Sequence, residues 1–341
     1  TLALAALCGG AAAGQATAQS APDMSKYILT PKPADTPRIN GARVFGVRPG
    51  SEFLYTIAAT GVRPMTFSAE GLPKGLKLDP KTGRITGRVT APGEYTVHLK
   101  ATNALGSSER SLKIVAGSEI ALTPPMGWNS WNCWARDVTQ EQVLSSARAM
   151  VESGLADHGW SYINIDDGWQ GKRGGKDNAI QPNAKFPDMK GLTRAIHDMG
   201  LRVGIYSTPW IGTYAAHIGS YSDNPDGVNE WIKKGRHNEH YRYQKEGGNY
   251  WKDRTEVWHL GPYSFVEADV KQWGEWGIDY LKYDWNPLDY YHVKEMHDAL
   301  RTLDRDVVYS LSNSAPYGDA PQWMQYSNCW RTTGDIRDTW E

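Results

Sequence analysis

Three charged clusters in this chain have a setting that suggests chemistry: Asp166-Asp167, Lys282-Tyr283-Asp284, and Arg331 four residues before Asp335. The first two stand at the ends of short apolar runs and open polar or glycine-bearing loops, and Arg331 closes the segment Asn328–Arg331 with Asp335 in the loop beyond. Trp131 closes the segment Trp128-Asn129-Ser130-Trp131, Tyr206 closes another apolar run, and the stretch Ser310-Leu311-Ser312-Asn313-Ser314-Ala315 closes a third. If these runs are parallel strands of one barrel, their C-terminal ends converge on one face, where catalysis is built from several strands. A barrel with no function would not gather charge there, because a buried charge is costly without a partner. The plainer reading of Asp284 and Asp335 is a rim ion pair with Lys282 or Arg331. For Asp166 and Asp167 it is a metal-ligand set or helix caps, and for Trp131 a lid on the barrel core.

The elements that must position these residues are legible from Gly117 onward, where short buried-type strands alternate with helices, the grammar of a parallel sheet. Six strands are predicted, at Met126–Trp131, Tyr162–Ile165, Leu201–Tyr206, Tyr280–Tyr283, Val307–Leu311 and Asn328–Arg331. Thr139 with Gln142 makes a capping box that opens a helix running to Ser153, Gly200 closes one at Met189–Met199, and Gly277 closes one at Phe265–Trp276. A closed barrel needs eight strands, so residues 118–341 are expected to form an incomplete (β/α)8 TIM barrel that stops after its sixth strand, in a chain that is a fragment at both ends. About 55 residues, Ser207–Tyr263, separate the third strand from its helix, and a loop of that length usually serves as a lid or rim.

Upstream, residues 42–117 show short alternating strands separated by turn signals, such as Asp79-Pro80-Lys81-Thr82-Gly83 and Ala91-Pro92-Gly93. That spacing predicts a small all-β antiparallel sandwich of immunoglobulin-like type. Residues 19–41 read as a linker, and residues 1–18 as the remnant of a signal peptide, with Ala16-Thr17-Ala18 fitting a small-x-small cleavage site. A secreted or periplasmic location is the expectation. No other run approaches the roughly 20 apolar residues of a membrane span. The 37 Lys and Arg nearly balance 38 Asp and Glu, leaving no basic surplus for nucleic acid. Fifteen Trp and 18 Tyr against five Phe favour rings with an apolar face and a polar edge, the surface a sugar needs, although packed core rings account for any one Trp equally well. Among the nine His, His237 and His240 are three apart in a Lys- and Asn-rich insertion, which reads as a solvated face, and no metal or cofactor is expected.

The segments PPMGWNSWN, YINIDDGWQ, VGIYS, GIDYLKYDWN and CWRTTGDIRDTW follow in order the strand-end motifs of glycoside hydrolase family 27, the melibiase-type α-galactosidases and α-N-acetylgalactosaminidases. The chain resembles that family from about Thr123 to Glu341, and GLPKGLKLDPKTGRITGRVTAPGEYTVHLKATNALGS resembles immunoglobulin-like modules found beside catalytic domains. Retaining hydrolysis takes two carboxyl groups about 5–5.5 Å apart, one attacking the anomeric carbon and one protonating the leaving oxygen. The resemblance implies Asp284 as nucleophile, Asp335 as acid/base with a raised pKa, and Lys282 helping to keep Asp284 ionised. It further implies Asp166 and Asp167 gripping the 4- and 6-hydroxyls, Trp131 and Tyr206 walling the pocket, and Arg331 near the 2-position. Terminal α-galactosyl residues of oligosaccharides or glycans are the implied substrate.

The strand-five loop departs from the family. α-Galactosidases of the family carry a Glu there that reads the 2-hydroxyl, whereas N-acetylgalactosaminidases use a Ser and an Ala that leave room for the acetamide. In one register Ser312 and Ala315 fall on the roomy pair; in the other, Asn313 replaces the Glu. Cysteines that form bridges near the site in many relatives are replaced here by Gly168 and by Trp285-Asn286, and the long insertion, with Trp231, Tyr250 and Trp251, is additional. Three readings therefore stand: an α-galactosidase, another exo-glycosidase of the family such as an α-N-acetylgalactosaminidase, and a glycan-binding protein without catalysis.

Overall fold

A computed structural model describes residues 32–228, 258–312 and 315–335. Ala16 to Ala18, Trp231, His237, His240, Tyr250, Trp251, Asn313 and Ser314, singled out above, lie outside the described residues.

The N-terminal module is a two-sheet sandwich. Its strands are β1 (Arg38–Ile39), β2 (Val44–Val47), β3 (Glu52–Thr56), β4 (Ala59–Thr60), β5 (Thr66–Glu70), β6 (Leu76–Leu78), β7 (Arg84–Arg88), β8 (Gly93–Asn103) and β9 (Gly106–Ala116). One sheet has the order β2-β9-β8-β5 and the other β3-β7-β6, while β1 pairs with β4. Alternation decides the faces: Val97, Leu99 and Ala101 of β8 are buried, and His98 and Lys100 between them face outward. Two features differ from the expectation. β2 pairs with β9 in parallel, and β1 falls inside the stretch read as linker, because Ile39 packs into the sandwich core.

The second module is one parallel sheet of six strands in consecutive order: β10 (Gly127–Asn129), β11 (Tyr162–Asn164), β14 (Arg202–Ser207), β17 (Tyr280–Tyr283), β18 (Val308–Leu311) and β19 (Cys329–Trp330). Between β11 and β14 a hairpin, β12 (Gln170–Gly174) and β13 (Ala179–Pro182), follows the aspartate pair, and β15 (Tyr221–Ser222) pairs with β16 (Tyr263–Ser264). Helices α1 (Trp131–Trp134), α2 (Gln140–Glu152), α3 (Met189–Asp198), α4 (Val266–Trp276), α5 (Tyr290–Arg301) and α6 (Ala320–Tyr326) lie between strands. The Thr139 capping box is formed, and α4 ends on Gly277 in the left-handed conformation. Leu281 and Tyr283 face the apolar core shared with the helices. This is a partial TIM-barrel-like sheet.

The sandwich docks on the N-terminal ends of the barrel strands. Arg48 pairs with Asp306 at 2.6 Å and donates to the carbonyls of Arg301 and Leu303. Arg305 bridges Glu52 of the sandwich at 3.0 Å and Asp279 of the barrel at 2.8 Å. Burial alone would push the Asp279 carboxyl up, but His197, Arg305 and Arg202 outweigh it and hold it well below the usual carboxylate range. Arg202 also donates to Leu54 O and lies over the Phe45 ring. At Gly200 the fit is tight: a Cβ there would meet Thr56 Oγ1 at 2.5 Å, and the Thr56 hydroxyl donates to Gly200 O at 2.8 Å.

Candidate active site

The opposite end of the sheet carries the charged clusters. Parallel register sets Tyr206 beside Lys282, and Lys282 beside Ser310, so these three side chains project from the same face of adjacent strands. Residue alternation puts Lys282 and Asp284 on one side of their strand, with Tyr283 turned into the helix-facing core. Lys282 Nζ lies 2.9 Å from Asp166 Oδ2 and 3.9 Å from Asp284 Oδ2. Two strand ends far apart in sequence thus share one ammonium.

Electrostatics follow from that geometry. Burial pushes the Asp284 carboxyl up to about 6; Lys282 opposes this, Asp166 adds to it, and Arg331 and a Tyr206 hydrogen bond oppose it. Burial works against the Lys282 ammonium, yet Asp166 and Asp284 outweigh it and leave Lys282 above its ordinary value. The Tyr206 phenol is pushed well up by burial and then by Asp284, Asp167 and Asp166, so it stays a hydrogen-bond donor. Its ring centroid lies 5.2 Å from Lys282 Nζ.

The aspartate pair is held by neighbours that sequence reasoning did not single out as site residues. Asn129 Nδ2 donates to Asp166 Oδ2 at 2.8 Å, and Asn129 Oδ1 accepts the Trp131 N–H at 2.9 Å, which fixes the start of α1 to the same carboxylate. The buried Ser130 hydroxyl accepts the Asp166 N–H. Asp167 receives the Thr213 hydroxyl and the Ala215 N–H, each at 2.7 Å, and His217 Nδ1 lies 3.4 Å away. Asn129 and Ser130 sit inside a strand-end motif that could have flagged them, but nothing local marks Thr213 or Ala215. Gly168 has a local cause: its φ is +118° and a Cβ would meet Arg136 O at 2.6 Å, which leaves no room for a side chain.

On the other side, Ser312 and Ala315 are buried, and Ala315 N–H donates to Arg331 O at 2.8 Å. Arg331 Nη1 pairs with Asp335 Oδ1 at 2.7 Å; the Asp335 side chain is 81% exposed. Burial thus elevates the Asp284 carboxyl, and the exposed Asp335 pairs with an arginine that also acts on Asp284. Cys133 and Cys329 are both free thiols. Among the described residues no group of three or more His, Cys, Asp or Glu is arranged to hold a metal ion, and no helix is long and apolar enough to cross a membrane.

The arrangement has known counterparts. Residues 123–234 match the family model "Alpha galactosidase A", and residues 36–117 match "Putative Ig domain". The "Probable alpha-galactosidase" of Dictyostelium discoideum is 30% identical over 256 residues, 72% of this chain and 51% of that protein. A solved Bacteroides fragilis structure, described as a "putative alpha-galactosidase", is 36% identical with a TM-score of 0.76, covering 92% of this chain and 60% of that one. α-Galactosidase I of Mortierella vinacea is 31% identical with a TM-score of 0.50, over 66% of this chain and 49% of that one. The chain spans about half the length of the curated relatives it matches. On its strand-end motifs, its half-barrel and these likenesses, the chain belongs to the melibiase-type α-galactosidase family of glycoside hydrolases, with an immunoglobulin-like module ahead of the family segment.

Proposed function

We propose that this protein hydrolyses terminal α-galactosyl residues with retention, by double displacement. The Asp284 carboxylate attacks the anomeric carbon as the bond to the leaving oxygen breaks, and Asp335 supplies the proton that oxygen takes up. Water then attacks the glycosyl ester of Asp284, giving its proton back to Asp335 and releasing galactose. The observation that carries this reading is the buried Asp284 carboxylate 3.9 Å from Lys282 Nζ, with the same ammonium bonded to Asp166. An anionic nucleophile needs such a counter-charge, and a sugar hydroxyl can share it. The exposure of Asp335 leaves its carboxyl open first to the leaving oxygen and then to the water that attacks, whose proton restores its acid form. Trp131 and Tyr206 would wall the pocket, and Arg331 would approach the 2-position. This chemistry calls for no metal or organic cofactor. Export is proposed on the apolar stretch ending near Ala18.

A second reading, α-N-acetylgalactosaminidase, is favoured by one observation: the strand-five loop presents Ser312 and Ala315, both small and buried, next to Arg331. Release of nitrophenol from the α-galactoside and the α-N-acetylgalactosaminide, compared in the full-length protein, separates the two. Turnover of neither substrate would remove both readings and leave another exo-glycosidase activity of the family or the glycan-binding protein. Asp284→Ala should abolish hydrolysis and leave galactose binding measurable; an active variant would contradict the assignment of the nucleophile.

A further inference from the structure

The segment after β14 folds into a hairpin that the proposed reaction does not explain. Ser220 N–H donates to Thr208 O, Gly219 N–H to Ile211 O, and Thr213 N–H to His217 O, with a bridge between Gly212 and Ile218. The base of the hairpin is anchored, since Arg173 donates to Gly219 O at 2.7 Å while its guanidinium is locked onto the buried Asp269 at 2.7 and 3.1 Å. One flank is braced by rings. Trp258 stacks on Trp210 at 5.5 Å, meets Tyr214 edge-on at 4.6 Å, and donates its indole N–H to Thr213 O. The tip reaches the Asp167 carboxylate.

Proton accounting fixes what Thr213 does there. Its Oγ1 accepts the His217 N–H at 2.9 Å, and an amide nitrogen can only donate, so the hydroxyl hydrogen is directed to Asp167 Oδ1. The Ala215 N–H holds Oδ2. With a donor on each oxygen the plane of the carboxylate cannot turn, and its remaining acceptor capacity keeps one direction.

We infer that Thr213 is a positioning residue of the sugar pocket, which with the Ala215 amide orients Asp167 to accept from a galactosyl hydroxyl. The inference rests on the proposed reading of Asp166 and Asp167 as the pair that recognises galactose. It also assigns the start of the long insertion to substrate recognition.

The test is made on the full-length protein. Thr213→Val, isosteric but without the hydroxyl, should weaken galactose binding measured by calorimetry by about tenfold, the scale of a hydrogen bond to a charged group. KM for nitrophenyl α-galactoside should rise more than kcat falls, and unfolding should stay cooperative with a modestly lower midpoint, because Asp167 and the His217 N–H each lose a partner. Thr213→Ser should restore affinity, and Thr213→Ala is measured in the same way should valine disturb the fold. In an Asp167→Ala background Thr213→Val should add nothing, because the group it orients is gone. Unchanged galactose affinity in Thr213→Val, or an additive loss in the double variant, would overturn the inference. A wild type that binds galactose without hydrolysing it counts against the proposed catalysis alone, and the affinities still decide the role of Thr213. A wild type that does not bind galactose overturns both.

Discussion

Replacing the proposed nucleophile by its neutral isostere, Asp284→Asn, should make the protein more stable at neutral pH while removing its hydrolytic activity. The Asp284 carboxyl is raised from 3.8 to about 6, a difference of about two units, and each unit corresponds to about 1.4 kcal/mol. Keeping that carboxylate ionised in the folded state therefore costs about 3 kcal/mol at pH 7. The sign follows from which state holds the proton. Between about pH 3.8 and 6 the folded protein keeps it and the unfolded chain releases it, so this group's contribution to stability falls as pH rises through that window and is flat above it. Asn removes the term without removing the Asp166 partner of Lys282. Urea unfolding of wild type and variant at pH 4, 5, 6 and 7 isolates the effect, because other titrating groups cancel in the difference. The variant should gain about 3 kcal/mol at pH 7, and the gain should vanish near pH 4. Equal or lower stability of Asp284→Asn at pH 7, or a gain independent of pH, would refute the reasoning.

Other consequences can be measured separately. The acid limb of kcat/KM should lie near pH 6, where Asp284 takes up its proton, and Lys282→Met should move it to higher pH, because Lys282 lowers that pKa. Arg48→Ala, which strips Asp306 of its ion pair and leaves the carbonyls of Arg301 and Leu303 without a donor, should cost about 3 kcal/mol in unfolding experiments; a loss under 1 kcal/mol would show the module contact to be dispensable. Gly168→Ala, forced into a φ of +118° against Arg136 O, should destabilise by about 1–3 kcal/mol and raise KM by disturbing Asp166 and Asp167, which a thermal melt and steady-state kinetics would report.

The four inner barrel strands could be read in advance, because a parallel strand buried on both faces is a continuous apolar run whatever its neighbours, whereas the half-buried edge strands β10 and β19 carry no such run. The cap at Thr139 and the stop at Gly277 were equally local, since capping is settled within a few residues. Strand alternation alone was enough to set Lys282 and Asp284 on one side. The partners were another matter. Asp167 is held by residues 46 and 48 positions further along, and neither Thr213 nor Ala215 carries a local signature. The role of Arg173 was equally hidden, because a single arginine in a hairpin does not announce that it anchors the return of another loop.

At the site, composition determined which ions meet, and packing determined how each behaves. Asp284 and Asp335 are the same residue type in similar polar loops, yet one is buried beside a lysine and the other is largely in water. Desolvation depends on what the rest of the chain excludes from the neighbourhood, which no motif records. The docking of the sandwich on the barrel floor was likewise decided only in three dimensions. Arg48 and Asp306 are 258 residues apart, and a linear charge pattern gives each many possible partners until two surfaces close over one of them.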